Sequence, residues 1–299
     1  MRNFILFFEE KEGTSPLVRL LANFNQISVI HQVNNSGWEP FDRHSCGLMS
    51  IRNLKQCLEL IFDKEPLHME CLNQIYTRTA TKPLEAFNKN GAVGFKMRFV
   101  PPKIDLPIVG NFSVWCKFAR YIYLKYQTSR GTFKKMMFDL LKRHNLVAFL
   151  AVRQDVLRWA LSKYHGDGTT MYGHLQFKIA SGQVNKKDIP KIEVDCNRLE
   201  KLILKCEKSH KKKQALKEDF EQAGINTYPV LYEDFLKDKL QCFMQIFKQL
   251  EMPVSKQEIT DALNKGAYFK KVHSDDISEF VINYQEVLDR FEGRYVAWR

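Results

Sequence analysis

Short apolar segments that alternate with helical segments constrain the fold of this chain more than any other feature. Segments rich in β-branched and aromatic residues predict strands at 3–8, 27–31, 92–99, 146–152 and 227–231. Helical periodicity is present at 15–23, 50–62, 66–80, 111–126, 132–143, 155–164, 196–223, 233–250, 256–264 and 277–291. Strands that are apolar along their whole length are typical of parallel sheets buried on both faces. The pattern predicts an α/β fold in which helices flank a central parallel sheet in three layers.

The length and composition of the chain are consistent with one large packed domain. The chain has 299 residues, 44% hydrophobic content, 22 Phe and 11 Tyr, which favours a folded globule over a disordered chain. We predict a single domain over 1–299, with helical insertions at about 47–90 and 111–143 and a mostly helical part at 232–299. In parallel α/β sheets, ligands bind at the carboxyl ends of the strands.

Charge and cysteine usage limit the functional classes. The chain has 46 Lys and Arg against 34 Asp and Glu, which gives a net charge of +12 and favours an anionic ligand. The charge alone does not show whether that ligand is a nucleotide, a nucleic acid, an acidic glycan or an anionic membrane. No apolar run reaches the ~20 residues that span a bilayer, so no transmembrane segment is predicted, and no signal peptide is predicted either. Seven scattered cysteines without a Cys-x-x-Cys pair favour a reduced, cytoplasmic setting with buried thiols and no zinc.

The first candidate site follows the first predicted strand. A short polar turn with Lys11 and Gly13 leads into a helix whose first residues include Thr14 and Ser15. The first N–H groups of a helix lack intrahelical partners and lie at the positive end of its dipole, so they favour an anion. A glycine lets the backbone approach a ligand closely, and the lysine adds a full charge. The turn therefore predicts a phosphate site.

The second candidate site follows the fourth predicted strand. Arg153 comes directly after this strand, and Ser162 lies about two turns into the helix that follows. A guanidinium and a hydroxyl in this arrangement can bind one phosphate together. The alternative is that Arg153 pairs with a surface carboxylate and Ser162 has no special role.

Composition also predicts the structure of two further segments. The stretch 166–190 is rich in Gly, Thr, Asn and Lys and predicts a long loop, either a lid over a site or plain disorder. The basic run 208–213 lies within a long polar helix and is interpreted as a solvated face.

Four segments, taken in order along the chain, resemble sulfotransferases. The turn Lys11-x-Gly13-Thr14-Ser15 resembles their 5′-phosphosulfate loop, and residues 153–162 resemble their 3′-phosphate site. Residues 228–238 resemble the strand and acidic segment that follow in that family. Residues 94–99 resemble the third strand of bacterial trehalose sulfotransferase-like enzymes, to which the pattern is closest.

The resemblance implies a P-loop-like fold and a defined reaction. The donor would be 3′-phosphoadenosine 5′-phosphosulfate, and the product adenosine 3′,5′-bisphosphate. The acceptor would be a hydroxyl or amine of a carbohydrate or small molecule. Lys11 would bind the bridging oxygen, and Gly13, Thr14 and Ser15 would bind the 5′-phosphate. No metal is implied.

The resemblance also assigns the 3′-phosphate and the general base. Arg153 and Ser162 would bind the 3′-phosphate, with Arg158 as an alternative to Arg153 because the spacing to Ser162 is one residue longer than in many members. The basic pair Lys270 and Lys271 stands where the family has a further phosphate-binding stretch.

The candidate bases lie at the end of the second predicted strand or between it and the third. Glu39 is the first choice, His31 the second and His44 the third. Arg98 occupies a position where other sulfotransferases have a histidine, and an arginine cannot act as a base at neutral pH.

Departures from the family pattern leave other functions open. Glu10 and Glu12 flank Lys11 and oppose an anion unless they point outward or pair with Arg19 or Lys96. A fold that has lost activity is therefore one alternative. A nucleotide-dependent phosphotransferase is another, although the Gly-x-x-x-x-Gly-Lys-Ser/Thr loop is absent. A non-catalytic basic protein that binds nucleic acid or another polyanion is the third. The basic residues are dispersed rather than in a stripe, so no nucleic acid is expected.

Overall fold

The computed structural model of the chain describes residues 1–9, 11–30, 51–63, 91–98, 130–166, 185, 189–265, 276–294 and 296–298. The statements below concern these residues.

A parallel sheet of five strands forms the centre of the described chain. The strands are β1 Phe4–Phe8, β2 Ile27–Ile30, β3 Ala92–Arg98, β4 Val147–Val152 and β5 Thr227–Leu231. Their order is β2-β3-β1-β4-β5, and every neighbouring pair is parallel. Because β1 and β4 are adjacent, the residues that follow them lie side by side at the carboxyl edge of the sheet. The five predicted strands are confirmed.

Helices connect and cover the strands. They are α1 Thr14–Leu21, α2 Ile51–Asp63, α3 Arg130–Arg143, α4 Val156–Gly166, α5 Cys196–Gln222, α6 Tyr232–Lys237, α7 Lys239–Gln249, α8 Lys256–Lys265 and α9 Tyr284–Phe291. A short 3-10 helix, Ile277–Glu279, precedes α9.

The two faces of the sheet bury separate hydrophobic cores. Successive side chains of a strand point to opposite faces, so Ile5 and Phe7 of β1 pack in a first core with α2 and α3. Phe4 and Leu6 pack in a second core with α1, α7 and α8. A third core lies between α4, α5 and α9. The three-layer α/β architecture is confirmed, and the central position of β1 before a turn and a helix is P-loop-like.

Two predicted helices are interrupted. The segment 233–250 was predicted as one helix, but Asp238 has an extended backbone and caps the N-terminus of α7 by accepting a hydrogen bond from the Gln241 N–H at 2.9 Å. The segment 277–291 divides into the 3-10 helix and α9. The predicted helices 66–80 and 111–126 lie outside the described residues, as does most of the predicted loop 166–190, whose first residue ends α4.

The cysteines that the structure describes fit the prediction of buried thiols in part. Cys196 and Cys206 are free and buried, and Cys242 is free and half-buried. Burial raises the pKa of the Cys206 thiol to about 12. Within the described residues, no helix is both long and apolar enough to cross a membrane.

Candidate functional site

The turn between β1 and α1, residues 9–13, has an unusual backbone. Lys11 and Gly13 both have positive φ angles, 67° and 74°. Gly13 is the N-cap of α1, and among the side chains that the structure describes none caps this helix end. The first N–H groups of α1 thus lie next to a turn that carries the exposed Lys11. Thr14, the first residue of α1, is buried, whereas the Ser15 side chain lies outside the described structure.

Gly13 is required by a close neighbour as well as by its backbone. A Cβ atom at this position would lie 2.3 Å from Cε2 of Tyr232, the first residue of α6. The ring of Tyr232 also lies under the Arg153 guanidinium, with 4.7 Å from Cζ to the ring centroid. Tyr232 therefore packs between the turn and Arg153, and only glycine leaves room for it.

Arg153 connects the two segments that the sequence predicted as phosphate sites. Its Nη1 donates hydrogen bonds to the Lys11 carbonyl and to Ser162 Oγ, both at 3.1 Å. The residue is 8% exposed, and its Nε is a buried donor without a hydrogen-bond partner among the described residues. A buried guanidinium with spare donor capacity is suited to binding an anionic group.

Arg158, the alternative to Arg153, is engaged differently. Its Nη1 contacts Asp155 Oδ2 at 2.9 Å, and Asp155 Oδ1 accepts a hydrogen bond from the Arg158 N–H. The Asp155 N–H in turn donates to Glu233 Oε1 at 3.1 Å. Arg158 thus belongs to a network at the start of α4, whereas Arg153 contacts Lys11 and Ser162.

A buried ion pair lies beneath the turn. Lys213 Nζ is 2.6 Å from Glu12 Oε1, and both side chains are fully buried. Glu12 thus pairs with a cation from α5, a partner that the sequence analysis did not consider beside Arg19 and Lys96. The interpretation of 208–213 as a solvated face is wrong for Lys213, although Lys208, Lys211 and Lys212 are exposed.

His210 supports Arg153 from the same face of α5. Its Nε2 lies 2.7 Å from the Arg153 carbonyl oxygen, which can only accept, so Nε2 is the donor. Burial, together with the nearby Lys213 ammonium, lowers the pKa of His210 to about 4, although the hydrogen bond to the carbonyl opposes this shift. The imidazole is therefore neutral at physiological pH and has a structural role in the β4–α4 junction.

Several predicted site residues lie outside the described residues. They are Glu10, His31, Glu39, His44, Lys270 and Lys271. The backbone of Arg98 ends β3, but its side chain is not described. In the part of the chain that the structure describes, no group of three or more His, Cys, Asp or Glu residues could hold a metal ion.

The sequence analysis missed the roles of Lys213, His210 and Tyr232. The signal for Lys213 is its spacing, because it continues the buried stripe of α5 through Leu199, Cys206 and Phe220. A lysine at a buried position of such a stripe requires a partner. Glu12 supplies it from a distance of 201 residues along the chain, which no local pattern shows.

Comparison with known proteins finds distant likeness only among solved structures. No protein-family model and no curated protein matches this chain. Among solved structures, the crystal structure of sulfotransferase STF9 from Mycobacterium avium is similar, over 97% of this chain and 75% of that chain. The TM-score is 0.40 and the sequence identity 10%.

Proposed function

We propose that this chain is a sulfotransferase that uses 3′-phosphoadenosine 5′-phosphosulfate. One observation carries the proposal. The Arg153 guanidinium contacts both the Lys11 carbonyl and Ser162 Oγ, so the turn and the β4–α4 junction adjoin at the carboxyl edge of adjacent central strands, where together they could bind an anion. These are the two segments whose residues resemble the 5′- and 3′-phosphate sites of that family.

The proposed reaction is an in-line transfer of the sulfuryl group. The bond between sulfur and the bridging phosphate oxygen breaks, a bond from sulfur to an acceptor hydroxyl or amine forms, and adenosine 3′,5′-bisphosphate leaves. Negative charge grows on the bridging oxygen, and Lys11 with the first N–H groups of α1 would stabilise it. The acceptor belongs to a carbohydrate or small molecule, and its proton passes to Glu39 or, as second choice, His31.

The remaining residues would bind the donor. Gly13, Thr14 and Ser15 would bind the 5′-phosphate, and Arg153 with Ser162 the 3′-phosphate. The contacts of Arg153 with the Lys11 carbonyl and Ser162 Oγ support this assignment, as does the pairing of Arg158 with Asp155. We assign Lys270 and Lys271 to the same phosphate from the resemblance. The proposal includes no metal, because Lys11 and Arg153 supply fixed positive charge.

Calorimetric titration with adenosine 3′,5′-bisphosphate tests the donor site. We expect micromolar binding, with AMP and magnesium-ATP binding at least tenfold more weakly. Arg153→Met should abolish binding, whereas Arg158→Met serves as the matched control and should change the affinity by less than about threefold. Stronger binding of magnesium-ATP would favour a phosphotransferase. Binding of a polyanion such as heparin without binding of the bisphosphate would favour a non-catalytic protein.

Transfer of a labelled sulfuryl group to a panel of sugars, amines and phenols tests the chemistry. Lys11→Ala should reduce turnover by about two to three orders of magnitude, the usual effect of removing one donor from a developing charge. Lys11 is exposed, so the variant should unfold at the same temperature as the wild-type chain. Bisphosphate binding without transfer to any acceptor would indicate a fold that has lost activity.

A further inference from the structure

Both buried charged groups of the Lys213–Glu12 pair have hydrogen-bond partners. Lys213 Nζ donates to Glu12 Oε1 and to the Ala151 carbonyl, both at 2.6 Å. Glu12 Oε2 accepts a hydrogen bond from the Glu9 N–H at 2.7 Å. Both side chains are 0% exposed. Such a pair seldom adds stability over apolar side chains of the same volume, because removing two charges from water costs as much as their attraction returns.

The contacts of the pair point to a positioning role. They connect the turn after β1, the last residues of β4 and helix α5, which are three segments far apart in sequence. Ala151 lies two residues before Arg153, and Glu12 lies between Lys11 and Gly13. The pair thus joins both segments of the proposed anion site from beneath.

The turn requires such support. A left-handed backbone at Lys11 is unfavourable for a residue other than glycine and persists only where the surroundings hold it in place. The Arg153 hydrogen bond holds the Lys11 carbonyl, and the Glu12 side chain closes the turn back to the Glu9 N–H.

The pair also removes a charge that opposes an anion. A lone Glu12 carboxylate in this turn would repel a bound phosphate, and burial away from water would strengthen that repulsion. The Lys213 ammonium compensates it within hydrogen-bonding distance. Lysine at 213 therefore explains how the turn can carry a carboxylate where the sulfotransferase pattern has none.

We propose that Lys213 is a positioning residue for anion binding: it compensates the charge of Glu12, so that the Glu12 side chain stays inward and closes the Lys11–Gly13 turn onto the Glu9 N–H. That the anion is a phosphate of the sulfuryl donor rests on the proposed function. The role of Lys213 in holding the turn does not rest on it.

The test is a double-mutant cycle with a matched control. Lys213→Met leaves the Glu12 carboxylate buried and unpaired, whereas Glu12→Gln combined with Lys213→Met removes both charges and keeps an oxygen that can accept from Glu9. Lys212→Met, at the exposed neighbouring position, is the control. We expect Lys213→Met to weaken bisphosphate binding at least tenfold, and the double variant and the control to stay within about threefold of the wild-type chain.

The pH profile separates charge compensation from a general loss of structure. Besides Lys213, the groups that interact electrostatically with Glu12 are Glu9 and Cys206. Lys163 and Arg153 act on Cys206, Lys163 also lies 4.0 Å from Glu9, and His210 lies near Lys213. All of these groups other than Lys213 remain in every variant. Burial raises the pKa of Glu12. In Lys213→Met the carboxyl should be neutral in acid, so the affinity relative to wild type should fall as pH rises from 5 to 8. The double variant should show no such fall.

Amide hydrogen exchange of residues 11–15 tests, without any ligand, whether Lys213 keeps the turn in its conformation. Exchange should accelerate at least tenfold in Lys213→Met and return towards the wild-type rate in the double variant. Failure of the wild-type chain to bind bisphosphate would contradict the proposed function, and exchange alone would then decide the positioning. Equal affinity, pH profile and exchange in Lys213→Met and Lys212→Met would overturn the proposal. If Lys213→Met does not fold, a double variant that folds without binding bisphosphate or without protecting the turn would overturn it too.

Discussion

At the scale of single residues, the turn before α1 depends on a glycine with two constraints. Gly13 has a φ of 74°, and a Cβ atom would lie 2.3 Å from the Tyr232 ring. Gly224 has nearly the same φ, 71°, but a Cβ atom there would meet nothing within 4 Å. The chain therefore contains a matched pair in which backbone strain and steric overlap can be separated.

We expect Gly13→Ala to lower the free energy of unfolding by about 1–2 kcal/mol more than Gly224→Ala. Both variants share the backbone cost of a left-handed alanine, but only the first must displace Tyr232 from the Arg153 guanidinium. Urea denaturation of both variants measures the difference. Adding Tyr232→Ala to Gly13→Ala should remove most of the excess, and equal destabilisation by the two glycine substitutions would contradict the steric argument.

His210 makes the free energy of unfolding depend on pH in the acid range. Its pKa is lowered to about 4 in the folded chain, from 6.5, so below pH 6.5 the unfolded chain binds a proton that the folded chain does not. The resulting loss of stability should accumulate as pH falls from 6.5 to 4 and reach about 3 kcal/mol. His210→Gln keeps a donor for the Arg153 carbonyl but does not titrate. The difference in unfolding free energy between the wild-type chain and this variant should therefore change with pH over this range, and a constant difference would contradict the assignment.

Local sequence patterns indicated candidate residues whose place is fixed by a strand end or the next helix, and missed those whose partners lie far along the chain. Gly13, Arg153 and Ser162 were proposed because each stands at a defined place after a strand or within the next helix. Lys213 and Tyr232 were missed because their partners come from distant segments, and only the packing of α5 and α6 against the sheet edge brings them together.

At the scale of elements, the five strands and most helices of the described residues were predicted well because their periodicity is local. The interruption at Asp238 was not, since apolar residues on both sides continue a helical pattern. Asp238 nevertheless has an extended backbone, with φ −146°, and its side chain accepts a hydrogen bond from the Gln241 N–H. A competing side-chain bond of this kind starts a new helix where hydrophobic periodicity alone predicts continuation.

We expect Asp238→Ala to lower the free energy of unfolding by about 1 kcal/mol, the usual effect of losing an N-cap. Asp238→Asn retains an acceptor oxygen and should lose only a few tenths of a kcal/mol. Chemical denaturation followed by circular dichroism measures both. An alanine variant as stable as the asparagine variant would mean that packing of α6 and α7, rather than the cap, fixes the break between them.

At the scale of the whole molecule, the order of strands follows from the alternating pattern only in part. The pattern predicts a parallel sheet with helices on both faces, but it does not give the order β2-β3-β1-β4-β5, which depends on long-range pairing. That order brings the ends of β1 and β4 together. The third core, between α4, α5 and α9, was not predicted, because nothing local distinguishes its residues from those of the other cores.

We expect the described chain to unfold as one domain, because α5 contributes to two cores. Its residue Leu199 is buried in the third core and Phe220 in the first. Leu199→Ala should cost about 3 kcal/mol through the cavity it leaves, and Leu204→Ala, at a position 55% exposed on the same helix, is the matched control. We expect the loss of protection to be measured by hydrogen exchange under native conditions. In Leu199→Ala, the slowest amides of β1 and β4 should lose as much protection as those of α4. In Leu204→Ala, protection should change little. If only α4, α5 and α9 lose protection, the third core is a separate folding unit, and the single domain predicted over 1–299 is wrong.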